Sequence, residues 1–272
     1  MRLALRGAVA LCCAFVLVSC GEEGGGGNGG GGGSAAPQAN IVDVELSEYA
    51  FGMTGDITGG TVSFRVTNKG KIPHEVAFGA IEGDRTMADI EKALQGGPPP
   101  KWFKDIAGIP VLSPGVTETM TRDLEPGQYI FLCFLPTPGK GHPHAFEGMV
   151  RLFEVNGSSA VEPPEPDLTI TASEDGFDVP DISAGTHTIE LVNDGTKPHE
   201  FAFISYEPGK TMKDLNKWIG GAFQGPAPAL FPGGMQSIPS GESVIVEMTF
   251  ESGRSYRLED FESKLSSEIT PQ

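Results

Sequence analysis

The chain repeats itself, and the repeat constrains the fold more than any other feature. Ten residues from Val66 to Glu75 (VTNKGKIPHE) recur as Leu191 to Glu200 (LVNDGTKPHE). The match keeps its register onward: Thr86-Met87-Ala88-Asp89 pairs with Thr211-Met212-Lys213-Asp214, Pro114-Gly115 with Ser240-Gly241, and Tyr129 with Tyr256. Self-similarity carried over roughly a hundred residues means a duplicated domain. The copies occupy residues 41–155 and 167–272, and the Pro-rich polar segment 156–166 (NGSSAVEPPEP) lies between them.

Within the first copy, short runs at Ile41–Ser47, Thr61–Thr67, Glu75–Phe78, Val116–Thr121, Tyr129–Phe134 and Met149–Val155 are separated by Gly, Pro and Asp turns. Several alternate apolar and polar residues, the period of a strand with one buried face. That spacing predicts a two-sheet sandwich. One helix interrupts each copy. Thr86 and Thr211 stand at N-cap positions with Asp three residues later, a capping-box arrangement. Met87, Ile90 and Leu94, and in the second copy Met212, Leu215 and Ile219, then fall on one face that is expected to pack on the sandwich.

The N-terminus points to export. Arg2 and Arg6 precede an apolar run from Ala8 to Val18, too short to span a bilayer and of the length of a secretory signal. The run ends Leu17-Val18-Ser19-Cys20-Gly21, which resembles the lipobox of bacterial lipoproteins. That resemblance implies a signal peptide over 1–20 and acylation of Cys20, anchoring the protein to the outside of the cell membrane, or to an outer membrane where there is one. Two or more acyl chains make a stable anchor, at ~0.8 kcal/mol per buried methylene. Residues 21–40 (GEEGGGGNGGGGGSAAPQAN) have almost nothing to bury and read as a flexible tether of roughly 25 Å r.m.s. span.

With Arg2 and Arg6 removed, 17 basic residues face 36 acidic ones. A chain this acidic is not expected to bind nucleic acid through phosphates, though its charge could steer a basic protein partner. Of four cysteines, Cys12 and Cys13 leave with the signal and Cys20 takes lipid, so Cys133 is the one thiol left. An intrachain disulfide is then impossible, and Cys133 is either an inert core residue or a metal ligand.

Its neighbours decide the reading. Cys133 ends the run Tyr129-Ile130-Phe131-Leu132-Cys133, a Pro- and Gly-rich loop follows, and His144-Ala145-Phe146-Glu147-Gly148-Met149 opens the next strand. His74 comes from the distant Asn-x-Gly-x-x-Pro-His loop. This set resembles the type 1 copper site of the plastocyanin-like cupredoxin family, over Asn68–His74 and Tyr129–Val155. The resemblance implies an all-β chain of two tandem cupredoxin-like Greek-key sandwiches, each with a short helical insertion. It also implies one copper per chain, held by His74, Cys133, His144 and Met149. Two imidazoles, one thiolate and a weak thioether suit copper in both oxidation states. Each ligating imidazole is expected to use its other nitrogen in a hydrogen bond. His142 competes with His144, and only His144 gives His-x4-Met; the Cys133–His144 gap is long for a plastocyanin, and Glu75 stands where that family often has Asn or Ser.

The second copy keeps His199, but alignment on the tyrosines sets Asp260 opposite Cys133, and neither histidine nor methionine follows. It is expected to hold no copper, to have a shortened or missing last strand, and to present His187 on its surface. The family resemblance implies an extracytoplasmic one-electron carrier that meets a redox protein partner. A metal-free binding or scaffold module and a copper delivery or storage protein are the rivals. An enzyme is disfavoured: multicopper oxidases and copper nitrite reductases need a second, histidine-rich copper centre, and this chain has five histidines in all.

Overall fold

The structure, a computed structural model, describes residues 40–96 and 98–272. The 1–20 leader with Cys20, and residues 21–39 of the tether, lie outside the described residues. No helix among the described residues is long and apolar enough to cross a membrane.

The first half runs β1 (Ile41–Ser47), β2 (Ala50–Met53), β3 (Ile57–Thr58), β4 (Gly60–Asn68), β5 (His74–Ile81), α1 (Met87–Leu94), β6 (Phe103–Asp105), β7 (Ile109–Leu112), β8 (Thr117–Leu124), β9 (Gly127–Leu132) and β10 (Val150–Asn156). The second half repeats the plan with β11 (Leu168–Ser173), β12 (Gly176–Asp178), β13 (Gly185–Asn193), β14 (His199–Tyr206), α2 (Met212–Gly220), β15 (Ala229–Ile238), β16 (Ser243–Phe250), β17 (Tyr256–Asp260) and β18 (Leu265–Ile269). Segment 157–166 carries no regular structure.

Each half is a two-sheet sandwich. In the first, β8-β4-β1-β2 faces β7-β5-β9-β10-β3, with β1 parallel to β4 and most other pairs antiparallel. Strand β1 shows why the sequence reads so plainly: Val42, Val44 and Leu46 alternate inward and are buried. Phe64, Phe78, Phe131 and Phe153 fill the space between the sheets, Phe131 lying 4.8 Å from both Phe78 and Phe153, ring centre to ring centre. Burying a Phe side chain contributes roughly 1.5–3 kcal/mol.

The two halves share both sheets. Strand β16 pairs antiparallel with β8 (Val246 opposite Met120), and β15 pairs with β7 (Pro232 opposite Leu112). Because β16 and β15 are the repeat counterparts of β8 and β7, the duplicated halves meet edge to edge through equivalent strands, which leaves neither edge open. One hydrophobic core spans both halves.

The helices differ from the expected face. Both capping boxes form: the Thr86 N–H donates to Asp89 Oδ2 at 2.9 Å and the Thr211 N–H to Asp214 Oδ2 at 3.0 Å. Ile90 is buried and Leu94 partly so, but Met87, in the first turn, overhangs into solvent. In α2 the buried pair is Leu215 and Trp218, and Ile219 is exposed. Trp218 stacks on Phe231, and its bulk takes the place expected for Ile219.

Candidate metal centre

A buried asparagine builds the loop that presents His74. Asn68 Nδ2 donates to the carbonyls of Ile72 (2.9 Å) and Leu112 (2.8 Å), and its Oδ1 accepts from the Gly70 N–H (2.9 Å). The loop is thereby folded back so that His74 opens β5 with its ring inside. Gly70 lies against that ring: a Cβ there would stand 3.0 Å from His74 Nε2. The second half repeats the device with Asn193, which donates to Lys197 and Ile238 carbonyls at 2.7 Å each and accepts from the Gly195 N–H at 2.9 Å. Asn and Gly are thus repeated because they seat a buried histidine.

Three donor atoms converge at the end of the first sandwich. His144 Nδ1 lies 3.2 Å from His74 Nδ1 and 3.2 Å from Cys133 Sγ, and all three atoms lie within 4.8 Å of one another. The three residues are at most 1% exposed. Backbone bonds close the loop that brings them together. The Cys133 N–H donates to Met149 O (3.3 Å), the Ala145 N–H to Cys133 O (2.9 Å), the His144 N–H to Leu135 O (2.9 Å) and the Met149 N–H to His144 O (3.1 Å). Met149 is fully buried in the same core as Cys133, its backbone opposite that of the cysteine. His142 points elsewhere: its Nε2 sits 2.6 Å from Glu147 Oε1 and its side chain is 41% exposed. Between the two candidates, His144 is the one beside Cys133 and His74.

This arrangement of sheets, with a histidine opening β5, a cysteine just past β9 and a histidine and methionine before β10, decides the fold. The first half is a cupredoxin-like domain. No family model matches the chain, and no curated relative matches it. Solved structures do. The chain is similar to dithionite-reduced auracyanin from Roseiflexus castenholzii, at 25% identity over 43% of this chain and 98% of that one, with a TM-score of 0.30. Auracyanin A, a blue copper protein of Chloroflexus aurantiacus, is similar at 22% identity over 43% and 99%, with a TM-score of 0.29. Over more of the chain, a blue copper oxidase from Nitrosomonas europaea is similar at 12% identity, covering 86% of each, with a TM-score of 0.27.

Electrostatics in the cupredoxin-like half favour neutral imidazoles. Burial pulls His74 down to about 4, helped by neighbouring His144, and burial pulls His144 down to about 4 as well. Each ring therefore has a free lone pair at neutral pH. Burial pushes the Cys133 thiol well up, and the Glu75 carboxylate reinforces it, so the thiolate needs a cation to form. The Glu75 N–H donates to Cys133 Sγ at 3.5 Å.

The residues fit a metal ion. Metal–nitrogen bonds of about 2.0–2.1 Å and metal–sulfur bonds of about 2.3 Å put trigonal donors roughly 3.5 Å apart, near the spacing found here. Among the described residues, His74 Nε2 and His144 Nε2 are buried and meet no hydrogen-bond partner. His74 Nε2 faces the Gly70 turn, and the His144 ring packs edge-on against Tyr49 at 5.0 Å. Gly70 and Tyr49 pack against the two rings and help to set their orientation.

The second half replaces the donors. His199 Nδ1 lies 2.8 Å from Asp260 Oδ2, with both side chains at most 1% exposed, and Asp260 Oδ1 accepts from the Glu262 and Ser263 N–H groups. The last strand is shortened rather than missing: β18 pairs with β17 over five residues. His187 lies half-buried at the surface: its side chain is 12% exposed and its Nδ1 lies 3.0 Å from Asp167 Oδ2, at the start of the second copy.

Proposed function

We propose that this chain is an extracytoplasmic one-electron carrier with a single copper ion in its first half, held by His74, Cys133 and His144 with Met149 as a weak fourth ligand. The observation that carries this reading is the meeting of two buried imidazole nitrogens and one buried thiol within 4.8 Å. Copper bound by two imidazoles, a thiolate and a weak thioether exchanges single electrons. The chain's own residues do the rest. Backbone bonds across 133–149 hold the donors in place before metal arrives, and the core around Cys133 excludes water. Gly70 and Tyr49 fix the two rings in orientation.

A carrier rather than a catalyst is favoured because the remaining histidines are engaged apart from one another. His142 pairs with Glu147, His187 with Asp167 and His199 with Asp260. The excess of acidic residues favours a redox protein with a basic docking face. Acylation of Cys20 would keep the carrier at a membrane surface. Voltammetry of the copper-loaded chain tests the reading: a reversible one-electron wave is expected, with a higher midpoint in Met149→Leu because a weak donor is removed. A Met149→Leu midpoint equal to wild type would remove methionine from the site.

A further inference from the structure

The second half reaches into the surroundings of the metal centre at one residue. Strand β15 runs along the first half: the Gln236 N–H donates to Gly108 O at 2.7 Å, and Pro232 pairs with Leu112, which itself pairs with His74. From there Gln236 Nε2 donates to Glu75 Oε2 at 3.4 Å. The other oxygen of that carboxylate, Oε1, accepts from the Phe134 N–H, the amide that follows Cys133. Glu75 therefore ties the residue after His74 to the residue after the thiol, with the amide of Gln236 on its free oxygen.

The duplicated half supplies the comparison. Glu200 is the repeat counterpart of Glu75, and Phe261 that of Phe134. The counterpart of Gln236 in the first half is Pro110, by the same register that matches Leu112 with Ile238 at the Asn68 and Asn193 bonds. Pro110 lines the same cavity as Glu200, but proline offers no donor. Among the described residues, the donor from across the junction is thus found only on the side with the cysteine.

We propose that Gln236 is a positioning residue for the metal centre: the second half orients the Glu75 carboxylate through it and so holds the Phe134 amide and Cys133 in place. The inference rests on the copper reading only for its spectroscopic arm.

Amide hydrogen exchange in the full chain reads the bracing directly. Gln236→Leu keeps the bulk and removes the donor, and exchange at Phe134 should rise roughly fivefold, the factor set by about 1 kcal/mol of hydrogen bonding. Exchange at Phe261 should stay unchanged in the same sample, which separates local release from general destabilisation. Copper-loaded Gln236→Leu should show a displaced charge-transfer band. If the leucine variant does not fold, Gln236→Met, which keeps the length and removes the donor, is read in the same way. Equal changes at Phe134 and Phe261, or no change at Phe134, would overturn the proposal. A chain that takes up no copper but shows the selective Phe134 response would keep the bracing and overturn the carrier.

Discussion

Replacing Asn68 by Ala should separate what holds the fold from what holds the metal. Asn68 is fully buried and makes three hydrogen bonds, to Ile72 O, Leu112 O and Gly70 N, at 2.8–2.9 Å. At about 1 kcal/mol net for each, Asn68→Ala should cost about 3 kcal/mol, because the backbone groups it leaves behind stay in a dry interior. In a chain of this size that is a fall of roughly 6–12 °C in Tm. Asn193 makes the same three bonds at 2.7–2.9 Å, so Asn193→Ala should cost a similar amount. The variants should part company in the copper-loaded protein. Asn68→Ala frees the loop that seats His74 and should weaken the visible band, whereas Asn193→Ala frees only the loop of His199. Differential scanning calorimetry of the two apoproteins, with absorption spectra after copper loading, makes the comparison. A loss below about 1 kcal/mol in either variant, or equal damage to the band in both, would refute the reasoning.

Two further outcomes are expected. Glu118 is fully buried where the halves meet, and both its oxygens accept from the Gly234 N–H at 3.0 and 3.1 Å. Burial pushes its carboxyl well above the ordinary 4.5, so the fold holds the proton to a higher pH than the unfolded chain does. Its stability contribution is complete below pH 4.5 and falls as pH rises, so Glu118→Gln, which keeps an acceptor, should gain Tm relative to wild type as pH rises above 4.5. A Tm difference independent of pH would contradict this. Cys20→Ala should abolish palmitate labelling and detergent partitioning in a bacterial host, and a variant still acylated would defeat the anchor.

Local signals were the legible ones. Alternation placed β1 and β4, the Thr–Asp spacing placed both helix starts, and His-x4-Met chose His144 over His142. The sequence reading passed over β2, β3, β6 and β7, which are two to four residues long and carry too little pattern to stand out. The helix faces were read from period alone, and the choice of Trp218 over Ile219 depended on Phe231, which a distant strand supplies. Neither the sharing of both sheets nor the Gln236–Glu75 bond could be read, because each joins positions more than a hundred residues apart with no periodic signal between them.

Copper stoichiometry of the full-length chain, read together with its visible spectrum, tests the central claim most directly. The account predicts one copper per chain with an intense thiolate-to-copper band, lost in Cys133→Ser and unchanged in His199→Ala, since His199 is turned to Asp260. A colourless product, colour that survives Cys133→Ser, or two coppers per chain with a spectrum altered by His199→Ala would contradict it.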